Sequence, residues 1–315
     1  MPRYDLVDAQ QALGFVTNQA SFIEAEVYRQ QFPEIQYPLL IPVDTSAPDW
    51  VKSITFFSTS QVGQADWFHH MATDMRIADI SRARNEVGVE MAGIGYRYTL
   101  EEVGQAMMMN VPLTSERGMA AFRAYEEFVE RVAIAGDTDK GWTGLVNNAL
   151  VTIVNAPTGA APVDTEWVGK TGDEIATDIN LLLTGIYTAT NTVEMANTLL
   201  LPVAQFTLLA TKRMSAQVAM TVLEWINKYN VYTAQTGLPL VIRAVRQLST
   251  AGVGGTARAV AYRRDPQIIK MHIPMPHRFL PVWQTGPITF DIPGIFRLGG
   301  VELRRPGAMR YMDLI

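Results

Sequence analysis

Two alternating segments separated by an apolar stretch constrain this chain most. In SITFFSTSQVG (53–63) Ile54 and Phe56 alternate with polar residues. In NEVGVEMAGIGYRYTL (85–100) Val87, Val89 and Met91 point one way, and Glu86 and Glu90 the other. A period of two over such lengths signals strands. The connection between them, QADWFHHMATDMRIADISRAR, carries Trp67, Phe68, Met71, Met75 and Ile77. Connections of this length are uncommon in compact domains and usually have a task. A long hairpin with an apolar tip cannot cover its own surface, so the expectation is a hairpin that needs a partner chain.

Helical periods follow. LEEVGQAMMMNVPL (100–113) reads as a short helix ended by Pro112. In TSERGMAAFRAYEEFVERVAIAGD, Met119, Phe122, Tyr125, Val129 and Val132 keep helical spacing. Thr114 or Ser115 is the expected cap, Glu127 and Arg131 an i,i+4 pair, and Gly136 the left-handed stop. Thr171 and Glu174 form a capping box before a stripe of Ile175, Ile179, Leu182, Leu183 and Ile186. TLLLPVAQFTLLATKRM reads as a buried strand, and SAQVAMTVLEWINKYN as a helix capped by Ser215 with Val218, Val222, Ile226 and Tyr229 on one face. From residue 238 onward the periods are short and broken by glycine and proline, which indicates strands. Helices and strands do not alternate as βαβ units, so the expected class is α+β.

The first forty-nine residues are mixed, and FPEIQYPLLIPVDTSAPDW holds four prolines. This part reads as an arm lying over something, or as a flexible leader. The 315 residues are 48% hydrophobic and 18% charged, enough for a sizeable core. The net charge is -5, unlike a chain built to coat nucleic-acid phosphates. There are no cysteines, which excludes disulfides, thiolate chemistry and cysteine-ligated metals. The opening residues lack the layout of a signal peptide. The longest apolar runs are too short to span a bilayer. The expectation is a cytoplasmic product with no membrane role.

The search for chemistry returns little. His69 and His70 are adjacent and would face opposite ways on a strand. His272 and His277 flank IPMP without a third ligand. GVGGT (252–256) lacks the GK[ST] of a phosphate loop. Asp173, Glu174 and Asp178 suit a helix N-terminus. Met107, Met108 and Met109 suit adaptable packing. The arginine clusters RRD (263–265) and RRP (304–306) allow nucleic-acid contact, inter-subunit ion pairs or plain solvation. No catalytic, cofactor-binding or metal-binding residue is assigned and no cofactor is expected. The chain does not read as an enzyme; its function is placed in surfaces.

The order of arm, long hairpin, long helix, capped helix and β-rich end resembles tailed-phage major capsid proteins of the HK97-like fold. The last strand resembles the pattern of one such family through Gly299, Gly300, Val301, Pro306, Ala308, Tyr311, Asp313 and Ile315. The stretch with Gly136, Gly141, Gly144, Leu145 and Asn147 resembles the turn that leads such proteins from the peripheral towards the axial domain. The resemblance implies an N-terminal arm over 1–49, an extended loop over 50–98 and a peripheral domain over 99–154 with its spine helix. It further implies an axial domain over 155–285 and a return to the peripheral domain over 286–315. The last strand would lie beside the spine helix, its alternation separating core from solvent.

The function implied is a structural major capsid protein that self-assembles as pentamers and hexamers into an icosahedral shell around a double-stranded DNA phage genome. Its place would be the virion capsid, after synthesis in the host bacterial cytoplasm. A separate scaffold protein, a portal and decoration proteins would be partners, with packaged DNA contacted weakly. The arm as it stands is too short for the scaffolding region some such proteins carry, and nothing marks Lys52 as a cross-linking residue. Two other readings stay open: an encapsulin-like nanocompartment shell, and a soluble α+β enzyme with an unrecognised site.

Overall fold

The computed structural model describes residues 32–63, 78–109, 113–160 and 165–315. One compact unit spans Ile35–Ile315. In chain order its first elements are α1 (Tyr37–Leu40), β1 (Val43–Asp44), β2 (Ser53–Val62), β3 (Asp79–Gly93) and β4 (Tyr96–Thr99). Then come α2 (Leu100–Met109), α3 (Leu113–Ala135), β5 (Thr152–Asn155), α4 (Gly172–Ala189) and β6 (Thr198–Leu201). Three short helices follow, α5 (Val203–Thr211), α6 (Val222–Lys228) and α7 (Val231–Thr236). The rest is β7 (Val241–Ala244), β8 (Arg258–Tyr262), β9 (Ile269–His272), β10 (Met275–Phe279) and β11 (Trp283–Gly286). It ends with β12 (Thr289–Ile292), β13 (Gly294–Gly299), β14 (Val301–Leu303) and β15 (Met309–Asp313). The class is α+β, as the sequence indicated.

A five-stranded sheet in the order β5-β15-β8-β6-β7 forms a wall between two cores. Leu200, Val260, Tyr262, Met309 and Tyr311 belong to one core, together with Tyr125, Val129 and Val132 of α3. Leu199, Leu201, Ala259, Ala261 and Met312 belong to the other, with Ile175, Ile179, Leu182, Leu183 and Ile186 of α4. Strands covered on both faces can be apolar at every position, and β6 and β8 are buried throughout. The capping box expected at α4 is present, with Thr171 and Glu174 bonded reciprocally. The whole expected stripe of that helix is buried.

The last strand departs from expectation. Met309–Asp313 pairs with β5 and β8 inside the wall instead of lining a sheet with one wet face. Its alternation sorts Tyr311 to one core and Met312 to the other. Tyr311 and Ile315 are held, at 0% and 4% exposure.

Other corrections have local causes. TLLLPVAQFTLLATKRM is a strand only to Leu201; Pro202 offers no N–H to a ladder, and helix α5 starts after it. The helix expected from Ser215 begins only at Val222, because Thr221 and Glu224 form the capping box there. Val218 and Tyr229 are accordingly exposed. On α3 the expected stripe is buried at Tyr125, Val129 and Val132 but exposed at Met119 and Phe122. Thr114 and Ser115 lie within the helix, not before it. Glu127 accepts from Arg123 at 2.9 Å, while Arg131 sits over Phe128. On β3 the inward parity changes between Val89 and Ala92, so Met91 is exposed.

The segment read as an arm also needs revision at its end. Tyr37, Leu40 and Ile41 are buried in the first core, and the Tyr262 hydroxyl donates to the Leu40 carbonyl at 2.7 Å. β1 then joins β9 as a parallel strand. Four prolines did prevent a long regular element there, but they did not keep the chain off its own core.

Candidate interaction surface

The long hairpin is the feature that the fold itself leaves unfinished. β2 and β3 pair antiparallel through ten matched positions, from Ser53–Gly88 to Val62–Asp79. At about 3.4 Å per residue this ribbon extends roughly 34 Å. A third strand, β13, reaches β3 only at Val89–Gly93. Among the described residues the rest is two-stranded, an arrangement that is marginal alone in water. One face carries Ile54, Phe56 and Val87, with the Arg304 guanidinium 5.0 Å from the Phe56 ring. The other carries Phe57 opposite Arg84 and Ile80 opposite Gln61. Phe57 is 67% exposed and Ile80 54%. The free edge of β2 holds no charge and no proline, the usual protections against strand addition. The expected tip, with Trp67, Phe68, His69, His70, Met71, Met75 and Ile77, lies outside the described residues, as do residues 1–31 of the expected arm.

A second apolar surface surrounds the three-stranded sheet β11-β12-β4. Val282, Trp283, Ile288 and Leu100 are each more than half exposed there. A bidentate pair fastens its base, Arg97 to Asp291 at 2.5 and 2.8 Å.

The residues considered for chemistry are dispersed into structural roles. His272 is buried, with Nε2 on Glu302 and Nδ1 3.6 Å from Asp44. His277 stacks on Tyr125 and faces the Ile94 carbonyl. The two histidines do not share a site, and no metal-holding group of three occurs among the described residues. Glu174 accepts the Ala160 and Thr171 N–H groups, which hold its carboxyl at about 2. Asp178 is buried against Lys170 at 2.5 Å and Trp167 at 3.0 Å; burial nevertheless raises its pKa. GVGGT closes on itself through Gly252 and Thr256 and gives the Val253 N–H to Asp313. Met107 and Met109 lie in α2 with Met108, which is exposed.

The two arginine clusters converge in a way that the sequence did not signal. Arg263 and Arg305 both reach the buried carboxylate of Glu194, and Arg304 pairs with Glu302 at 2.5 Å. Three of these four arginines are therefore committed to carboxylates within the subunit, while Arg264 donates to the Pro38 carbonyl. Glu194 is separated from them by 69 and 111 positions, so only the fold brings the three together.

A family profile described as "Major capsid protein" matches residues 63–315. The chain belongs to the major capsid protein family. This capsid protein also superposes on solved structures. It matches "The capsid of Myoviridae Phage XM1" with a TM-score of 0.78 at 19% identity, over 95% of this chain and 98% of that one. It matches a protein of "Microbacterium phage Oxtober96" with a TM-score of 0.64 at 11% identity, over 98% of each chain. "Capsid of empty GTA particle computed with C5 symmetry" gives a TM-score of 0.60 at 10% identity, over 99% of each chain. At such identities the likeness shows the fold, that of HK97-like tailed-phage capsids. Among curated proteins none matches.

The motifs behind the resemblance have structural work in this capsid protein. Gly136 ends α3 with φ +75°. A Cβ on Gly144 would lie 2.2 Å from the Ile134 carbonyl. The Asn147 side chain accepts from the Gly144 N–H and donates to the Ala135 carbonyl, each at 2.7 Å. A Cβ on Gly300 would lie 2.8 Å from the Trp142 ring, so only glycine fits there. Ala308 is fully buried, and Asp313 pairs with Arg258.

Proposed function

We propose that this capsid protein builds an icosahedral shell of pentamers and hexamers around a double-stranded DNA phage genome. Its role is structural and it catalyses no reaction. The observation that carries the reading is the two-stranded ribbon of β2 and β3, with apolar side chains on its outward face and an unprotected edge. Such surface gains stability only against another chain. Contacts that join one patch to a different patch on the next copy close into rings, the heterologous geometry from which capsomers are made. Each contact can be weak, because many of them act together in a closed shell.

In this reading residues 50–98 are the extended loop, 99–154 and 286–315 the peripheral domain with α3 as spine helix, and 155–285 the axial domain. Residues 1–49 are the arm, anchored through Tyr37, Leu40 and Ile41. Synthesis takes place in the host bacterial cytoplasm, and a scaffold protein, portal and decoration proteins join the particle. The net charge of -5 fits a shell whose DNA is neutralised mainly by counterions.

Electron microscopy of the purified protein tests the reading. Closed shells or rings of five and six are expected; a stable monomer or dimer under all assembly conditions overturns it. The double variant Trp67→Ser/Phe68→Ser is expected to stay folded and lose shell formation. Unfolding of that variant would place the tip in the subunit's own core. Duplex DNA is expected to bind the isolated subunit weakly, so tight, salt-sensitive binding contradicts the proposed charge balance.

A further inference from the structure

The five-stranded wall ends at β7, which has no outer neighbour among the described residues. Val241 and Val245 give their N–H groups inward, to the Asn197 and Leu201 carbonyls. In a parallel ladder alternate residues bond to one side. Ile242 and Ala244 therefore turn their N–H and C=O groups outward, available to another strand.

Beside this edge lies a cleft of about 390 Å³, lined in part by Leu39, Tyr232, Leu238, Val241, Arg243 and Arg264. Among the described residues its charged lining has one sign, with two arginines and no aspartate or glutamate. Arg264 donates to the Pro38 carbonyl at 3.0 Å and meets no carboxylate among the described residues. The Arg243 side chain forms no hydrogen bond or ion pair with a described residue, although it lies close enough to act electrostatically on Tyr262. The contrast with Arg263 is direct: one position from Arg264, it is neutralised by Glu194 at 2.7 Å. Two guanidiniums that meet no carboxylate among the described residues, in a concave and partly apolar setting, favour an incoming anion.

We infer that the β7 edge and this cleft form a docking site for an extended acidic segment of a partner polypeptide. The segment adds a sixth strand to the wall through Ile242 and Ala244. One of its carboxylates enters between Arg243 and Arg264. Apolar residues two places away fall on the same face and cover Leu238 and Val241. A DNA duplex fits less well: it presents phosphates on a convex surface and is held by rows of cations, not by two arginines between apolar walls.

The test uses the full-length subunit before assembly and two capped, fluorescein-labelled peptides, Ile-Thr-Asp-Thr-Ile and Ile-Thr-Lys-Thr-Ile. Fluorescence anisotropy is expected to show the aspartate peptide bound at least tenfold more tightly than the lysine peptide. Arg243→Ala should remove most of that difference. Leu238→Glu, at a position 56% exposed, places a carboxylate at the cleft without disturbing the core and should also block binding. Amide hydrogen exchange should slow at Ile242 and Ala244 when the aspartate peptide is added. Absence of binding, equal affinity for the two peptides, unchanged binding by a folded Leu238→Glu variant, or unprotected Ile242 and Ala244 amides each overturn the inference.

Discussion

Arg258 and Asp313 meet on adjacent antiparallel strands inside the wall between the two cores, with Nε 2.6 Å from Oδ1 and Nη2 2.7 Å from Oδ2. Both side chains are almost fully buried. The remaining polar atoms are used as well: Arg258 Nη1 donates to the Val146 carbonyl at 2.6 Å, and Asp313 Oδ2 accepts the Val253 N–H at 3.0 Å. The guanidinium also lies 4.7 Å from the centre of the Tyr311 ring, whose hydroxyl donates to the Leu145 carbonyl at 2.7 Å. One ion pair thus ties the last strand to the turn after α3 and to the GVGGT loop.

Removing one half of this pair strands the other in a dry place. Asp313→Ala is expected to cost about 3–5 kcal/mol. The double variant Arg258→Met/Asp313→Leu should recover much of that loss, because it leaves no buried charge. Urea unfolding of the unassembled subunit measures both. A single variant that loses less than about 1 kcal/mol would show that the pair is solvated in solution.

The turn after α3 gives a steric prediction. Gly144→Ala sets a Cβ against the Ile134 carbonyl, a backbone atom that cannot step aside without moving the helix end. The expected loss is on the order of 3 kcal/mol. Gly88→Ala on β3 is the control, since nothing lies within 4 Å of its added methyl group. It should change stability by less than about 0.5 kcal/mol. Thermal unfolding of the two variants side by side checks the contrast.

These positions also mark what was legible in the sequence. Gly136, Gly144, Asn147, Tyr311 and Asp313 stand out as a pattern, but the pattern says nothing about what each one touches. Local signals fared well: the Thr171–Glu174 box, the α4 stripe and the strand-like second half all follow from short-range periodicity and capping. Signals failed where a distant partner decided the outcome. Met119 and Phe122 keep the α3 spacing, yet the fold leaves them uncovered. The arginines at 263 and 305 looked like surface charge until Glu194, far away in sequence, was brought between them. The two-core wall was hidden for the same reason. An apolar strand does not reveal how many faces are covered. The candidate interaction surface was visible in outline, as two alternating segments with no means of covering themselves.

Acid should loosen the segment that carries β1. Hydrogen bonds from Lys270, at 2.6 Å, and from Ser46 hold the Asp44 carboxyl well below the usual carboxylate range. Burial alone would raise Glu302, but bonds from His272 and Arg304 outweigh it and lower that group too. A depressed folded pKa contributes stability above the unfolded value, about 4, and that contribution is lost as pH falls through the folded value. Asp178 acts oppositely: its raised pKa favours folding as pH falls. Asp44→Asn should therefore flatten the acid limb of stability below about pH 4 by at most one proton, about 1.4 kcal/mol per pH unit. Urea midpoints between pH 2 and 6 give the slopes. Parallel acid limbs for wild type and variant would mean that Lys270 does not hold Asp44 in solution.

The outward face of the ribbon separates folding from assembly. Phe57 and Ile80 share that face, because Phe57 lies opposite Arg84 and Ile80 opposite Gln61 on matched positions of β2 and β3. Neither belongs to either buried core. Replacing both with serine removes apolar surface that the subunit does not cover, so its stability should change by less than about 0.5 kcal/mol per site. In the shell the same side chains are expected to be covered by a neighbouring copy. Burying a large apolar side chain contributes about 1.5–3 kcal/mol, so losing two at every repeated contact should raise the critical concentration for assembly at least tenfold. Light scattering against protein concentration reads the threshold, and circular dichroism confirms the fold. A variant that assembles at the wild-type threshold would show that the ribbon meets its neighbour through its other face or its edge.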